Sequence, residues 1–164
     1  MSEPIRLTTP LTQDKVRSLH IGDRVLISGT IYAARDAAHK RMVETLDRGE
    51  PPARGSARSD CLLCGGPSPA KPGQAIGSAG PTTSGRMDAY APTLLDMGQT
   101  GMIGKGARGP EVVAAMRRTG AVYFAAIGGA GCGPIAACVQ SAELFAGRTW
   151  AARRCAACAC GICR

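Results

Sequence analysis

The passage that most constrains this chain runs from Arg24 to Leu46. Arg24 to Ser28 (RVLIS) is an apolar run of strand length. Gly29-Thr30-Ile31-Tyr32 follows as a glycine turn, and Arg35 to Leu46 continues as an alanine-rich stretch of alternating charge suited to a helix. Strand, glycine turn and helix in that order make an α/β unit, and such units collect ligand groups where the strand ends, here between Ser28 and Arg35. With 164 residues, 22 glycines, 11 prolines and 4% aromatics, the chain suits one loop-rich α/β domain.

Further elements fit that reading. Thr12 to Leu19 reads as a short helix stopped at Gly22, with Val16 and Leu19 one turn apart. Pro110 to Arg118 reads as a longer helix. Ala121 to Ile127 (AVYFAAI) is expected to be a buried strand, Gly128 to Gly133 a glycine turn, and Ile135 to Phe145 a final helix. Residues 49 to 60 are linker-like. A second Gly/Pro-rich run, Gly65 to Gly85, ends in small residues whose backbone N–H groups an anion can reach.

The formal charge of +8 is unevenly placed. Arg148, Arg153, Arg154 and Arg164 fall after Ala146 where no acidic residue occurs, so without them the balance is 8 − 4 = +4. No stripe of basic and aromatic residues appears, which argues against nucleic acid as a partner. No segment approaches the ~20 apolar residues of a membrane span, and the N-terminus lacks the pattern of a leader. A cytoplasmic chain is expected, its eight cysteines reduced or metal-ligating rather than paired.

Three segments join a glycine turn to a cation: SGTIYAARDAAHKR (28 to 41), GSAGPTTSGRMDAY (77 to 90) and GMIGKGARG (101 to 109). A dicarboxylate needs at least two fixed cations. Guanidinium supplies a bidentate fork and ammonium a point charge, so Arg35, Arg86 and Lys105 are the candidates. The competing reading is that each is an ordinary solvated surface cation.

With LTTPLT, GPSPAKPG (66 to 73) and GAVYFAAIGGAG (120 to 131), these segments resemble the C-terminal domain of class I fumarases and the β subunit of two-subunit fumarases and L-tartrate dehydratases. The likeness covers most of residues 5 to 146. It implies a swivelling β/β/α-type single domain that reversibly hydrates fumarate to malate, or dehydrates L-tartrate. The partner is implied to be an α-type subunit carrying a [4Fe–4S] cluster, so that this chain binds no metal itself and works in a hetero-oligomer. It also implies that Arg35, Thr82, Arg86 and Lys105 hold the C4 dicarboxylate, with Thr82 and Arg35 catalytic and Thr82 the base at C3. A free hydroxyl is a poor base unless cations and backbone donors stabilise its alkoxide. Asp36 and His39, read as residues on the surface of the Arg35 helix, are candidates to orient Arg35 or relay protons.

Residues 147 to 164 depart from the family pattern, which sets an expected boundary after Ala146. The spacing Cys155-x2-Cys158-x-Cys160-x2-Cys163 invites a zinc or iron–sulfur reading, although it lacks the long loop between pairs that such sites use. Permitted codons for Gly147 to Arg154, shifted one frame, encode Trp-Ala-Asp-Leu-Gly-Arg-Glu-Ala, which fits the family pattern after Ser141-Ala142-Glu143. SDCLLCG (59 to 65) likewise recodes to Ala-Thr-Val-Tyr-Tyr-Ala-Gly. The expectation is a frameshifted tail, loss of the last strand and an exposed sheet edge. A cysteine-rich metal- or nucleic-acid-binding module and a non-functional truncated product are the alternatives.

Overall fold

The computed structural model describes residues 3–50, 61–64, 72–73, 75–77, 80–126, 139–146 and 155–160, with only the backbone described at 61–64, 142–146 and 155–160. Most of the 49–60 linker, parts of the 65–85 run, the 128–133 turn, Cys163 and the rest of the tail lie outside these residues.

The elements in chain order are β1 (Ile5–Thr8), α1 (Gln13–Arg17), β2 (Val25–Ala34), α2 (Asp36–Asp47), β3 (Cys61–Cys64), a 3-10 turn (Ser84–Met87), α3 (Ala91–Asp96), β4 (Gly101–Gly104), α4 (Pro110–Thr119), β5 (Val122–Ala125), β6 (Val139–Ala146) and β7 (Cys155–Cys160). The described strands lie in the order β5-β4-β3-β2-β7-β6, with β1 beside β2. Strands β1 through β5 pair in parallel, whereas β7 runs antiparallel to both β2 and β6. The chain is thus a mixed α/β structure.

Helix α4 shows why the sequence stops and starts where it does. Gly109 caps it, Pro110 opens it where a missing N–H costs nothing, and Glu111 sits in the first turn. Arg117 and Arg118 face the negative end, and Gly120 closes it at φ 72°, a left-handed conformation that favours glycine. Its buried face, Val112 and Ala115, packs with Ala91, Leu95 and Met102. Leu7, Leu11 and Val16 form a separate core with Ile103, Val122 and Phe124 packed against it. Met102 and Ile103 therefore point to opposite faces of β4, as strand alternation requires.

Four expectations change. Gly29 to Tyr32 is strand rather than turn: Gly29 to Ala33 pair with β7 and Tyr32 to Ala34 with β3. Gly29 (φ 109°) is needed for close approach, since a Cβ there would run into the Thr9 hydroxyl. Where described, from Val139, the expected final helix is instead β6, paired antiparallel with β7; residues 135–138 lie outside the described residues. The tail does not leave β2 open, since residues 155–160 form β7 between β2 and β6. Ladder hydrogen bonds use the backbone, so alternating Ala and Cys serve as well as another strand sequence. Finally, Val122 to Phe124 are half-buried rather than buried, because β5 ends the described strand order.

Candidate functional site

Because β2, β3 and β4 run parallel, their C-terminal ends share one edge of the sheet. Arg35 follows β2 directly and Lys105 follows β4 directly, two strand spacings apart, or roughly 10 Å of sheet. The 3-10 turn packs against α2 and brings Arg86 to the same edge.

The turn containing Thr82 is docked on the turn containing Lys105. The Lys105 N–H donates to the Thr82 carbonyl (3.2 Å), and the Ser84 N–H donates to the Lys105 carbonyl (2.9 Å). Thr83 and Lys105 form a parallel bridge. Gly104 is required for this contact, because a Cβ would collide with the Ser84 hydroxyl and stand 3.1 Å from the Tyr123 hydroxyl. Tyr123 donates its hydroxyl proton to the Gly106 carbonyl (2.8 Å). With that proton spent, Ser84 is the donor in the 2.9 Å contact between the two hydroxyls.

Two more groups tie the same turns. Asp88 accepts from the Gly109 N–H at 2.7 Å through Oδ2, and its Oδ1 lies 2.8 Å from Arg108 Nε. The Arg108 side chain is only 2% exposed and its guanidinium lies 5.6 Å from the centre of the Tyr123 ring. Ser84, Asp88, Arg108 and Tyr123 were not singled out from the sequence. The one available signal was Tyr123, a polar tip inside an apolar run, while Asp88 and Arg108 read as ordinary members of their motifs.

Arg35 is the N-cap of α2, and its carbonyl accepts the N–H groups of Ala38 and His39 (both 2.9 Å) and faces His39 Nδ1 at 2.9 Å. Asp36 opens the helix and accepts from the Ala37 N–H (2.9 Å), where its charge suits the helix dipole. His39 is not the surface residue expected; it is buried, because α2 turns this side of the helix toward the protein. Arg35 and Thr82 are half-buried, whereas Arg86 and Lys105 are exposed. Among the described residues the side chains of Arg35, Arg86 and Lys105 make no ion pair or hydrogen bond.

Burial pushes the His39 pKa down to about 4, with the positive charge of Arg108 adding to the effect. The hydrogen bond to the Arg35 carbonyl and the charge of Asp36 oppose it. At neutral pH the ring is neutral and carries its proton on Nδ1, facing the Arg35 carbonyl. Between pH 6.5, the ordinary histidine value, and about 4 the unfolded chain binds the extra proton and the folded chain does not. Stability is therefore full above pH 6.5 and lost as pH falls through this window, by roughly 3 kcal/mol. Denaturant titrations from pH 7.5 to 4 are expected to show this slope in the wild type and a flattened one in His39→Gln.

Among the described residues no group of three or more His, Cys, Asp or Glu side chains converges to hold a metal ion. No described helix is long and apolar enough to cross a membrane.

The family sequence model described as "Fumarase C-terminus" matches residues 1–148. Fumarate hydratase 2 of Leishmania major is 38% identical over 121 residues, 71% of this chain and 21% of that protein. The aerobic class I fumarate hydratase of Salmonella typhimurium is 34% identical over 128 residues, 76% of this chain and 22% of that protein. The L(+)-tartrate dehydratase subunit beta of Escherichia coli is 32% identical over 136 residues, 80% of this chain and 64% of that subunit. This chain thus spans about a fifth of the length of the fumarate hydratases it matches. A family match across nine-tenths of the chain, with the glycine turns and cations on one sheet edge, leaves one conclusion: the chain belongs to the fumarase C-terminus family.

Proposed function

We propose that this chain is the substrate-clamping component of a hydro-lyase that interconverts fumarate and malate, with the swivelling β/β/α arrangement of domain. The observation that carries the reading is the docking of the Thr82 turn on the Lys105 turn, at the sheet edge where Arg35 also stands. Two guanidiniums and an ammonium, unpaired among the described residues, match two carboxylates. Thr82 Oγ, as alkoxide, takes the C3 proton as the C2–O bond breaks, giving fumarate, the Thr82 hydroxyl and hydroxide; transfer of that proton to the hydroxide gives water and restores the alkoxide, and hydration runs these transfers in reverse. Lys105 and the backbone donors of the docked turns favour the charged oxygen that this role requires. A [4Fe–4S] cluster held by an α-type partner half supplies the Lewis acid for the leaving hydroxyl, in a cytoplasmic hetero-oligomer.

L-tartrate is the second reading. It is supported by the L(+)-tartrate dehydratase subunit beta of Escherichia coli, 32% identical over 80% of this chain.

Titration of the full chain with fumarate, followed by backbone amide shifts, tests the clamp. Saturable binding is expected in the wild type. Lys105→Ala and Arg86→Ala should each weaken it about tenfold, on the order of 1.4 kcal/mol for a screened charge contact. Unchanged affinity in both variants contradicts the reading.

A further inference from the structure

The segment from Gly101 to Gly109 holds two cations with opposite fates. Lys105 is exposed, while the Arg108 side chain is almost wholly enclosed three residues later. An enclosed guanidinium cannot reach a substrate at the surface, and burying it is unfavourable unless it is paired and fixed. Here it is fixed. Asp88 Oδ1 forms an ion pair with its Nε at 2.8 Å, a charge contact not aligned as a hydrogen bond, and the Tyr123 ring lies beneath its guanidinium.

We propose that Arg108 is a positioning residue that acts through Lys105, holding the Lys105 turn at a set place against the Thr82 turn so that its ammonium meets a dicarboxylate carboxyl group. Each partner of Arg108 also grips the segment that Arg108 belongs to. Asp88 belongs to the Thr82–Arg86 side, yet its second oxygen takes the Gly109 N–H. Tyr123, on β5, gives its hydroxyl proton to the Gly106 carbonyl and receives that of Ser84. The segment is thus tied at Gly106, Arg108 and Gly109, on both sides of a loop that contains the left-handed Gly106 (φ 82°). Such a glycine leaves the loop free to move unless side chains restrain it. The backbone bridge at Lys105 fixes the residue, and the Arg108 ties fix the direction of the chain leaving it.

The positive charge of Arg108 has a second effect on the same edge. It adds to burial, the larger cause, in opposing protonation of His39, whose neutral ring faces the Arg35 carbonyl. One enclosed arginine thereby supports the loops of both flanking clamp residues.

The inference rests on the reading of Lys105 as a carboxylate clamp, and a double-mutant cycle on fumarate binding by the full chain separates the two. Arg108→Gln is expected to weaken binding about tenfold. In a Lys105→Ala background the same substitution should change affinity by less than about twofold, because a misplaced ammonium matters only when there is one. Asp88→Asn, which keeps an oxygen for Gly109, removes the pairing charge with less risk to folding. It should weaken binding in the wild type and be absorbed in the same way by Lys105→Ala. If Arg108→Gln and Asp88→Asn weaken binding equally with and without Lys105, Arg108 supports the fold alone and the inference is overturned. If Lys105→Ala itself leaves binding unchanged, the clamp reading falls and takes the inference with it.

Discussion

Thr82→Ala is expected to lower the turnover of fumarate by this chain, paired with a cluster-bearing half, by about 10²–10⁴-fold, with KM shifting less than about threefold. The split follows from the roles proposed around it. Carboxylate binding is assigned to Arg35, Arg86 and Lys105, which the substitution leaves in place. The Thr82 carbonyl, not its side chain, receives the Lys105 N–H, so the docking of the two turns survives loss of the hydroxyl. Only the group that exchanges a proton with C3 is removed. Thr82→Ser, which keeps a hydroxyl, should retain more turnover than the alanine variant. Should KM rise in Thr82→Ala with kcat intact, Thr82 binds substrate and another group is the base.

The parts of this chain that were legible in its sequence are those whose signals are local. Helix α4 carries its own start and stop in Pro110 and Gly120, and α2 begins within a residue of where its charges predict. Of the three glycine–cation segments, those around Arg86 and Lys105 do form turns, whereas Gly29 to Tyr32 is strand. What was illegible depended on partners distant in sequence. Gly29 looks like a turn until Thr9 is known to lie against it. The run that becomes β6 reads as a helix by itself, and its antiparallel pairing with β7, distant in sequence, makes it strand. Arg108 and Lys105 stand three residues apart with the same charge, and it is contacts distant in sequence, with Asp88 and Tyr123, that mark Arg108 as the one turned inward. His39 lies on a helix whose charged residues suggest exposure, yet its side faces the interior.

The family's place for this chain makes its isolated behaviour the second large expectation. Residues that clamp a dicarboxylate and hold a base can bring a substrate into position, but hydroxide remains a poor leaving group without a Lewis acid. The proposed reading assigns that Lewis acid to the partner half. The full chain alone is therefore expected to bind fumarate and L-malate without converting either. Addition of an α-type half reconstituted with its [4Fe–4S] cluster should raise conversion from background to turnovers on the order of 1–10³ per second, the usual enzymatic range. The same pair with Lys105→Ala or Arg86→Ala in this chain should need more substrate to reach half its rate.

The most direct test of the account is the rate of malate formation from fumarate by the chain, by the cluster-bearing half, and by the two together. The account predicts background rates for each alone and conversion by the mixture that saturates as this chain approaches equimolar amounts. Conversion by this chain alone, or by the cluster-bearing half at a rate this chain does not increase, would contradict it.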